Sequence, residues 1–432
     1  MKRFIAILTL TLCALPAQAQ DSLRLEDVIE KVRAYNPDLK SKMIEKKIAK
    51  YTKREALGQA LPQISAKVTH MQNFNVPKFD IPGMGTFQMQ GDYAMEYGAT
   101  VTQAIYTFGA VSAAVRAADK LFTMVEVDVD AARNNVDYQA KMAFYQVLLA
   151  QRLLEINQAM LKNAQDNLSI LRNNFRGGRP PQQDLLMLQT DAESKKPAVE
   201  NAKAELKAAK IALNILMGED PNKEFSVVGK LRSNYPTYSA PHLQTVLVKE
   251  SPTLKYLEQS SEYQLEVANV RKSLFMPKLG LFYNFNRLDQ SYNDRFDRDQ
   301  TLTTSALGIG LNWNIWDGGI SHTAYQKAKA SAEQSQLTLQ KTQDQMSQQI
   351  FASLEQFNTY KKNISTLENA SDLAQRSFQL SQKKLRSGQT SITELNGTQS
   401  ALLMAQMQQA TNLFQLNITH ALIESLIGKD LK

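Results

Sequence analysis

The sequence predicts a mainly α-helical protein with a membrane β-component: an internally duplicated chain of long coiled-coil helices that also carries four β-strands. Three observations predict it. Residues 110–176 and 320–387 contain neither Gly nor Pro. At the 1.5 Å rise of an α-helix each run makes a rod of about 100 Å, far longer than a compact domain holds. Second, one register relates the two halves. Phe175-Arg176-Gly177-Gly178 with Asp184-Leu185 returns 210 positions later as Leu385-Arg386-Ser387-Gly388 with Glu394-Leu395. Third, four stretches alternate strictly between apolar and small or polar residues, the period of a strand with two different faces.

The N-terminus comes first in chain order. Lys2 and Arg3, the apolar run Phe4 to Leu15, and Ala17-Gln18-Ala19 have the form of a secretory signal peptide over residues 1–19. Cys13, the one cysteine, lies inside it, so the exported chain is expected to have no disulfide or thiol chemistry. Leu12 before it is a poor fit to the small residue that lipid-anchor sites want.

The duplication sets the domains: a first repeat over 20–219, a connector over 220–241 wrapping the waist of the bundle, and a second repeat over 242–432. Each repeat reads helix, β-hairpin, very long helix, tight turn, helix. The hairpins are expected at about 62–106 and 277–316. Near the start of the repeats the shift is 215. Asn36-Pro37-Asp38-Leu39 meets Ser251-Pro252-Thr253-Leu254, and Leu61-Pro62 meets Met276-Pro277. The first-half loop is therefore the longer one. Residues 24–58 and 182–217 together nearly match one long helix, which predicts two short helices stacked end to end against each long partner. Pro197 is expected to kink 182–217. Ala140, Val147, Leu154, Leu161, Leu168 and Phe175 recur every seven residues, as do Ile350, Phe357, Ile364, Ser371, Phe378 and Leu385, a left-handed coiled-coil period.

In the strands, Ile64, Ala66 and Val68 alternate with Ser65, Lys67 and Thr69; Leu307 to Ile315 alternate with Gly308, Gly310, Asn312 and Asn314. Such segments fit a membrane barrel with a wet lumen. Tyr106, Phe108, Trp313 and Trp316 lie near strand ends, where interfacial aromatics belong. Four strands cannot close a barrel, and open edges are not tolerated in lipid. Closure demands an oligomer; three copies supply twelve strands.

Taken in order, these motifs resemble the TolC family of outer-membrane channels over nearly all of the exported chain. The Asn36-Pro37 segment, Leu61-Pro62, the Ile315-Trp316-Asp317-Gly318-Gly319 turn and the two turns that lead into Asp184-Leu185 and Glu394-Leu395 carry the resemblance. It implies a homotrimer in the bacterial outer membrane, with a twelve-stranded barrel and a long periplasmic helical tunnel. It also implies two partners, a periplasmic adaptor and an inner-membrane RND or ABC transporter.

The helical turns hold the candidate site. Pro180-Pro181 presets one helix entry, with Asp184 in its first turn, and Ser391 with Glu394 has the spacing of a capping box. The resemblance adds an acidic ring at a closed periplasmic end, which makes Asp184 and Glu394 aperture candidates. Met187 and Gly397 stand where some members carry a second acid. It also makes Arg176, Gly177, Gly178, Arg179, Arg386, Ser387, Gly388 and Gln389 adaptor-docking candidates.

Other functions find little in the sequence. His70, His242, His322 and His420 show no ligand spacing, and no phosphate loop or nucleophile elbow is present. Met71, Met84 and Met89 near His70 match no defined metal set. No enzyme, cofactor or metal is expected, and a net charge of +8 without a dense basic run gives no support for nucleic-acid binding. The alternative is a periplasmic coiled-coil adaptor or scaffold. It is disfavoured because such adaptors carry one helical hairpin between two β-domain halves.

Overall fold

The computed structural model describes residues 22–174, 181–292 and 300–431. The signal segment 1–19 and the tip residues Arg176, Gly177, Gly178 and Arg179 lie outside them. The first part of the chain forms β1 (Ser22–Leu23), α1 (Leu25–Tyr35), α2 (Pro37–Gly58), β2 (Gln63–Gln72), β3 (Lys78–Ile81), β4 (Gly85–Gln88), β5 (Tyr93–Tyr106) and α3 (Ala110–Asn174). Next come α4 (Gln182–Met217), β6 (Ser226–Val227), α5 (Ala240–Glu250) and α6 (Pro252–Lys272). The chain ends with β7 (Lys278–Ser291), β8 (Gln300–Asn312), α7 (Ile320–Arg386) and α8 (Ile392–Ile427).

The segment read as one helix over 24–58 is two. Asn36 ends α1 and caps α2, its Oδ1 accepting from Leu39 N at 2.9 Å, while Pro37 opens α2 at a position that needs no backbone donor. Ser251-Pro252 makes the same break between α5 and α6. Pro197, by contrast, lies inside an unbroken α4.

End-to-end stacking is visible at these breaks. Gly218 ends α4 with φ +73°, donating to Ile215 O, while Glu219 N reaches Asn214 O. This is a Schellman turn, which needs a left-handed residue. A Cβ on Gly218 would fall 2.1 Å from the Tyr35 ring at the end of α1. Gly428, φ +72°, ends α8 in the same way, and its Cβ would fall 2.3 Å from Pro252 Cδ at the start of α6. Each lower helix thus butts against the break that starts an upper one.

The buried seam of α3 departs from a strict seven-residue ladder. Ala140 and Val147 are fully buried, but Leu154, Leu161 and Leu168 are only half-buried, and Ile156, Met160, Ala164 and Leu171 carry the core lower down. A straight helix drifts against a 3.5 period in this way. In α7, Ile350, Phe357, Phe378 and Leu385 are buried, while Ile364 and Ser371 are less so.

The four long strands form one antiparallel sheet in the order β2-β5-β7-β8. Above the β2 end, β3 and β4 make a separate small hairpin that alternation did not reveal. The strand read over 307–315 stops at Asn312. The helices that run into these strands have the same neighbour order: α2 packs on α3, α3 on α6 and α6 on α7. The connector is pinned at its start by β6, which pairs in parallel with β1.

Candidate functional site

The sheet has two chemically distinct faces. Ile64, Val101, Tyr283 and Leu307 lie in one cross-strand row, and Ser65, Thr100, Asn284 and Ala306 in the next row on the other face. The apolar row is open to the surroundings, with Ile64 76% and Leu307 71% exposed. The polar face carries a Lys67–Glu96 ion pair at 3.0 Å. Ile64, Val68, Leu281, Leu307, Ile309 and Leu311 share that open face, while the opposite one carries the ion pair and, of the exposed leucines, Leu302 in the Thr69–Glu96–Leu288 row. A sheet so divided has the pattern of one set between lipid and water.

A β-bulge near the end of β5 shifts the register between Ala104 and Tyr106, so that Tyr106 opposes Leu279 on the apolar face. Its ring meets Phe108 edge-on at 4.5 Å. Trp313 follows β8 and donates from Nε1 to Phe275 O at 3.1 Å, and Trp316 is 79% exposed. Since β5 and β8 run in the same direction, all four aromatics gather at the one end of the sheet where the helices begin. Among the described residues no helix is long and apolar enough to cross a membrane.

At the far end, α7 closes with a further Schellman turn. Gly388, φ +68°, donates to Leu385 O, and Gln389 N donates to Lys384 O at 2.8 Å. Arg386 is the last residue of α7, and Ser387 Oγ donates to Lys384 O. Ser391 then caps α8, accepting from Glu394 N at 3.1 Å. The Glu394 carboxylate lies 3.7 Å from Lys384 Nζ, back across the turn on α7. Asp184 stands half-buried in the first turn of α4.

One turn deeper lies a feature that the sequence reading missed. Asn167 of α3, fully buried, donates to Gln399 Oε1 of α8 and accepts from Gln382 Nε2 of α7; Gln399 donates in turn to Asp191 Oδ2 of α4 at 3.4 Å. Four helices meet in one polar layer between leucine layers, with Asn167 and Gln399 buried and Gln382 and Asp191 half-buried. Its signal was a polar residue in an apolar seam, Asn167 between Ala164 and Leu171, and Gln399 between Leu395 and Leu402.

A third cluster holds the waist. Asn417 of α8 accepts from Arg232 N and donates to Arg232 O, taking the place of a strand neighbour for the connector. Tyr235 OH donates to the same Oδ1, and the Tyr235 ring stacks on His420 at 4.3 Å. His420 Nε2 lies 3.0 Å from Tyr238 OH, and Nδ1 lies 3.7 Å from Glu424. Lys141 of α3 binds Glu424 at 2.8 Å and Asp430 at 3.2 Å. Burial pulls the Lys141 ammonium down, and the two carboxylates outweigh it, leaving its pKa raised. Burial pulls His420 below its ordinary 6.5, against the attraction of Glu424. Lys141 and Arg232 add to that lowering, whereas Asp430 opposes it.

A lowered histidine has a defined sign. The unfolded chain takes up the proton first, so the contribution of His420 is complete above about pH 6.5 and fades as pH falls towards the folded-state value. His420→Gln is expected to flatten that part of the stability–pH curve, measured as thermal midpoints from pH 7.5 to 5. An unchanged slope would assign it to other groups.

Together the fold and its two-faced sheet define a segment of a membrane ring, complete only with further copies. A family model described as outer membrane efflux protein matches residues 28–219 and 245–429. The chain belongs to this family, whose members are channels rather than enzymes. A curated relative, nodulation protein T of Rhizobium leguminosarum bv. trifolii, is 21% identical over 314 residues. That match covers 70% of this chain and 66% of the relative, just under two thirds of its length. Among solved structures, the CmeC outer membrane channel of Campylobacter jejuni is similar with TM-score 0.80 at 17% identity, covering 94% of this chain and 85% of that one. The outer membrane protein VceC of Vibrio cholerae gives 0.77 at 16%, covering 94% and 97%.

Proposed function

We propose that the chain is the outer-membrane exit duct of a tripartite efflux pump or a type I secretion system, conducting its cargo passively from periplasm to exterior. One observation carries the reading. The strands β2-β5-β7-β8 and the helices α2-α3-α6-α7 have the same neighbour order, so both layers are left open at the same two places. β2 and α2 form one edge; β8 and α7 form the other. A neighbouring copy that pairs with the β2 edge therefore also covers α2. Repeating that contact closes a β-ring and a helical ring about one axis.

Three copies give the twelve strands of a barrel with room for a lumen. In this reading residues 1–19 direct export, and the repeats 20–219 and 242–432 each supply half of the strands, with 220–241 joining them at the waist. The sheet lies in the outer membrane, with Tyr106, Phe108, Trp313 and Trp316 at its periplasmic boundary, and the helices reach into the periplasm. The tips, with Arg176 to Arg179 and Arg386 to Gln389, receive a periplasmic adaptor that links the duct to an inner-membrane RND or ABC transporter. Asp184 and Glu394 ring the closed end.

The test is single-channel conductance in a planar bilayer. Wild type is expected to show a small, long-lived conductance, and Asp184→Ala/Glu394→Ala a larger one with weaker cation preference. An unchanged conductance would reduce both carboxylates to helix-start residues; failure of well-folded protein to insert would overturn the duct itself.

A further inference from the structure

Beneath the sheet, α2 and α3 part along one flank and leave a groove of about 890 Å³, within the usual size of small-molecule sites. Both walls belong to one chain, so no second copy is needed to form the groove. α2 presents three different sides. Leu39, Ala49 and Ala56 are buried towards α3. Ile44, Ile48 and Tyr51 occupy one flank, and Met43, Lys50, Arg54 and Leu57 the other, which lines the groove.

The floor is apolar: Met43 and Leu57 from α2, Phe122 and Val129 from α3. From Met43 to Leu57 it runs about 21 Å along the helix axis. Met43 and Leu57 are each about half exposed, so this surface is wetted when the groove is empty.

Its rim is cationic. Lys46 is held by Glu126 at 2.7 Å, Lys53 by Asp119 at 2.5 Å and Arg133 by Asp130 at 3.3 Å. Among the described residues Lys47, Lys50 and Arg54 have no carboxylate partner; Arg54 lies over the Tyr51 ring at 5.8 Å. Six cations against two carboxylates line the groove. A narrow apolar trough with uncompensated positive charge along its lip favours one ligand chemistry: an alkyl chain on the floor and an anionic head on the rim. A neutral alkyl ligand would leave those cations unused, and a polar anion would leave the floor wet.

We propose that the α2–α3 groove binds single-chain anionic amphiphiles of the fatty-acid or alkyl-sulfate class, their heads on Lys47, Lys50 and Arg54. A subsite of this kind is separate from the tips and from the waist cluster. It makes this chain a contact point for detergent-like anions rather than a bare wall.

The probe is radiolabelled dodecanoate, and the sample is the full exported chain in nanodiscs of neutral lipid, with empty nanodiscs subtracted. Equilibrium dialysis is expected to show one saturable site per chain, displaced by dodecyl sulfate and hardly by dodecanol or inorganic phosphate. Lys47→Glu/Lys50→Glu/Arg54→Glu is expected to weaken binding at least about tenfold, one such factor being 1.4 kcal/mol. Control charge reversals at the exposed Lys207 and Lys249 should leave it unchanged. Native mass spectrometry of each variant shows whether assembly is retained. Assembled wild type without a saturable site, or equal binding by the assembled triple variant, would overturn the proposal while leaving the duct reading intact. Displacement by phosphate alone would reduce the groove to a simple anion patch and also overturn it. Leu57→Glu, which puts a carboxylate on the floor, should abolish binding on its own.

Discussion

Gly428→Val is expected to lower the stability of the helical portion by about 3 kcal/mol or more. The residue has φ +72°, a conformation that disfavours any Cβ and most of all a branched one. The added carbon would also fall 2.3 and 2.7 Å from Pro252 Cδ and Cγ and 3.3 Å from Glu250 O. Neither a proline ring at a helix start nor a backbone carbonyl can rotate away. The helix must then separate from its upper neighbour or lose its last turn. Far-UV circular dichroism melts in nonionic detergent read the effect directly. Gly218→Val tests the same joint in the other repeat and should cost less, because the obstructing Tyr35 ring is 45% exposed and has somewhere to swing. Equal, small losses in both would mean that the end-to-end contacts carry little weight.

Lys141→Met is expected to be the most damaging charge removal, costing about 3 kcal/mol at pH 7. The Lys141 and Glu424 side chains are only 16% and 12% exposed, so the methionine leaves a largely buried carboxylate without its cation. Asp430 does not share this difficulty, its side chain being 82% exposed. The loss should shrink as pH falls, since burial and the Lys141 ammonium hold the His420 pKa down, and without that ammonium His420, 3.7 Å from Glu424, becomes easier to charge. Lys141→Met/Glu424→Leu should recover most of the stability. If the double variant is no better than the single one, the damage lies in packing rather than in the stranded charge. In wild type the raised Lys141 pKa acts at the other extreme, contributing fully below about pH 10.5 and fading as pH rises through its folded value.

Much of this architecture was legible in the sequence because it rests on long periods. Helices free of Gly and Pro declare themselves, and strict alternation marks strands whose two faces meet different media. The features that escaped are local or three-dimensional. The helix breaks were written in Asn36-Pro37 and Ser251-Pro252, yet helical periodicity on either side carries straight across them. β3 and β4 have four residues each, too few to show a period, and their one-sided Phe79–Phe87 pair appears only once the register is known. The polar layer of Asn167, Gln382, Gln399 and Asp191 draws one residue from each of four helices, so no window of sequence contains it. At the tips, spacing alone gave Glu394 to Ser391, whereas the folded turn brings it towards Lys384.

The two edges of the chain are unlike each other: β2 with α2 on one side, β8 with α7 on the other. A contact between unlike edges is directional, so every copy in a closed ring must offer one surface and accept with its opposite. A copy spoiled at only one edge can still join a neighbour through the other, and there it stops the chain of contacts. Mixed with normal copies in a cell, such a variant would interfere with them as well as fail alone. Loss-of-function alleles at these edges are therefore expected to be genetically dominant, and those in the helix interior recessive.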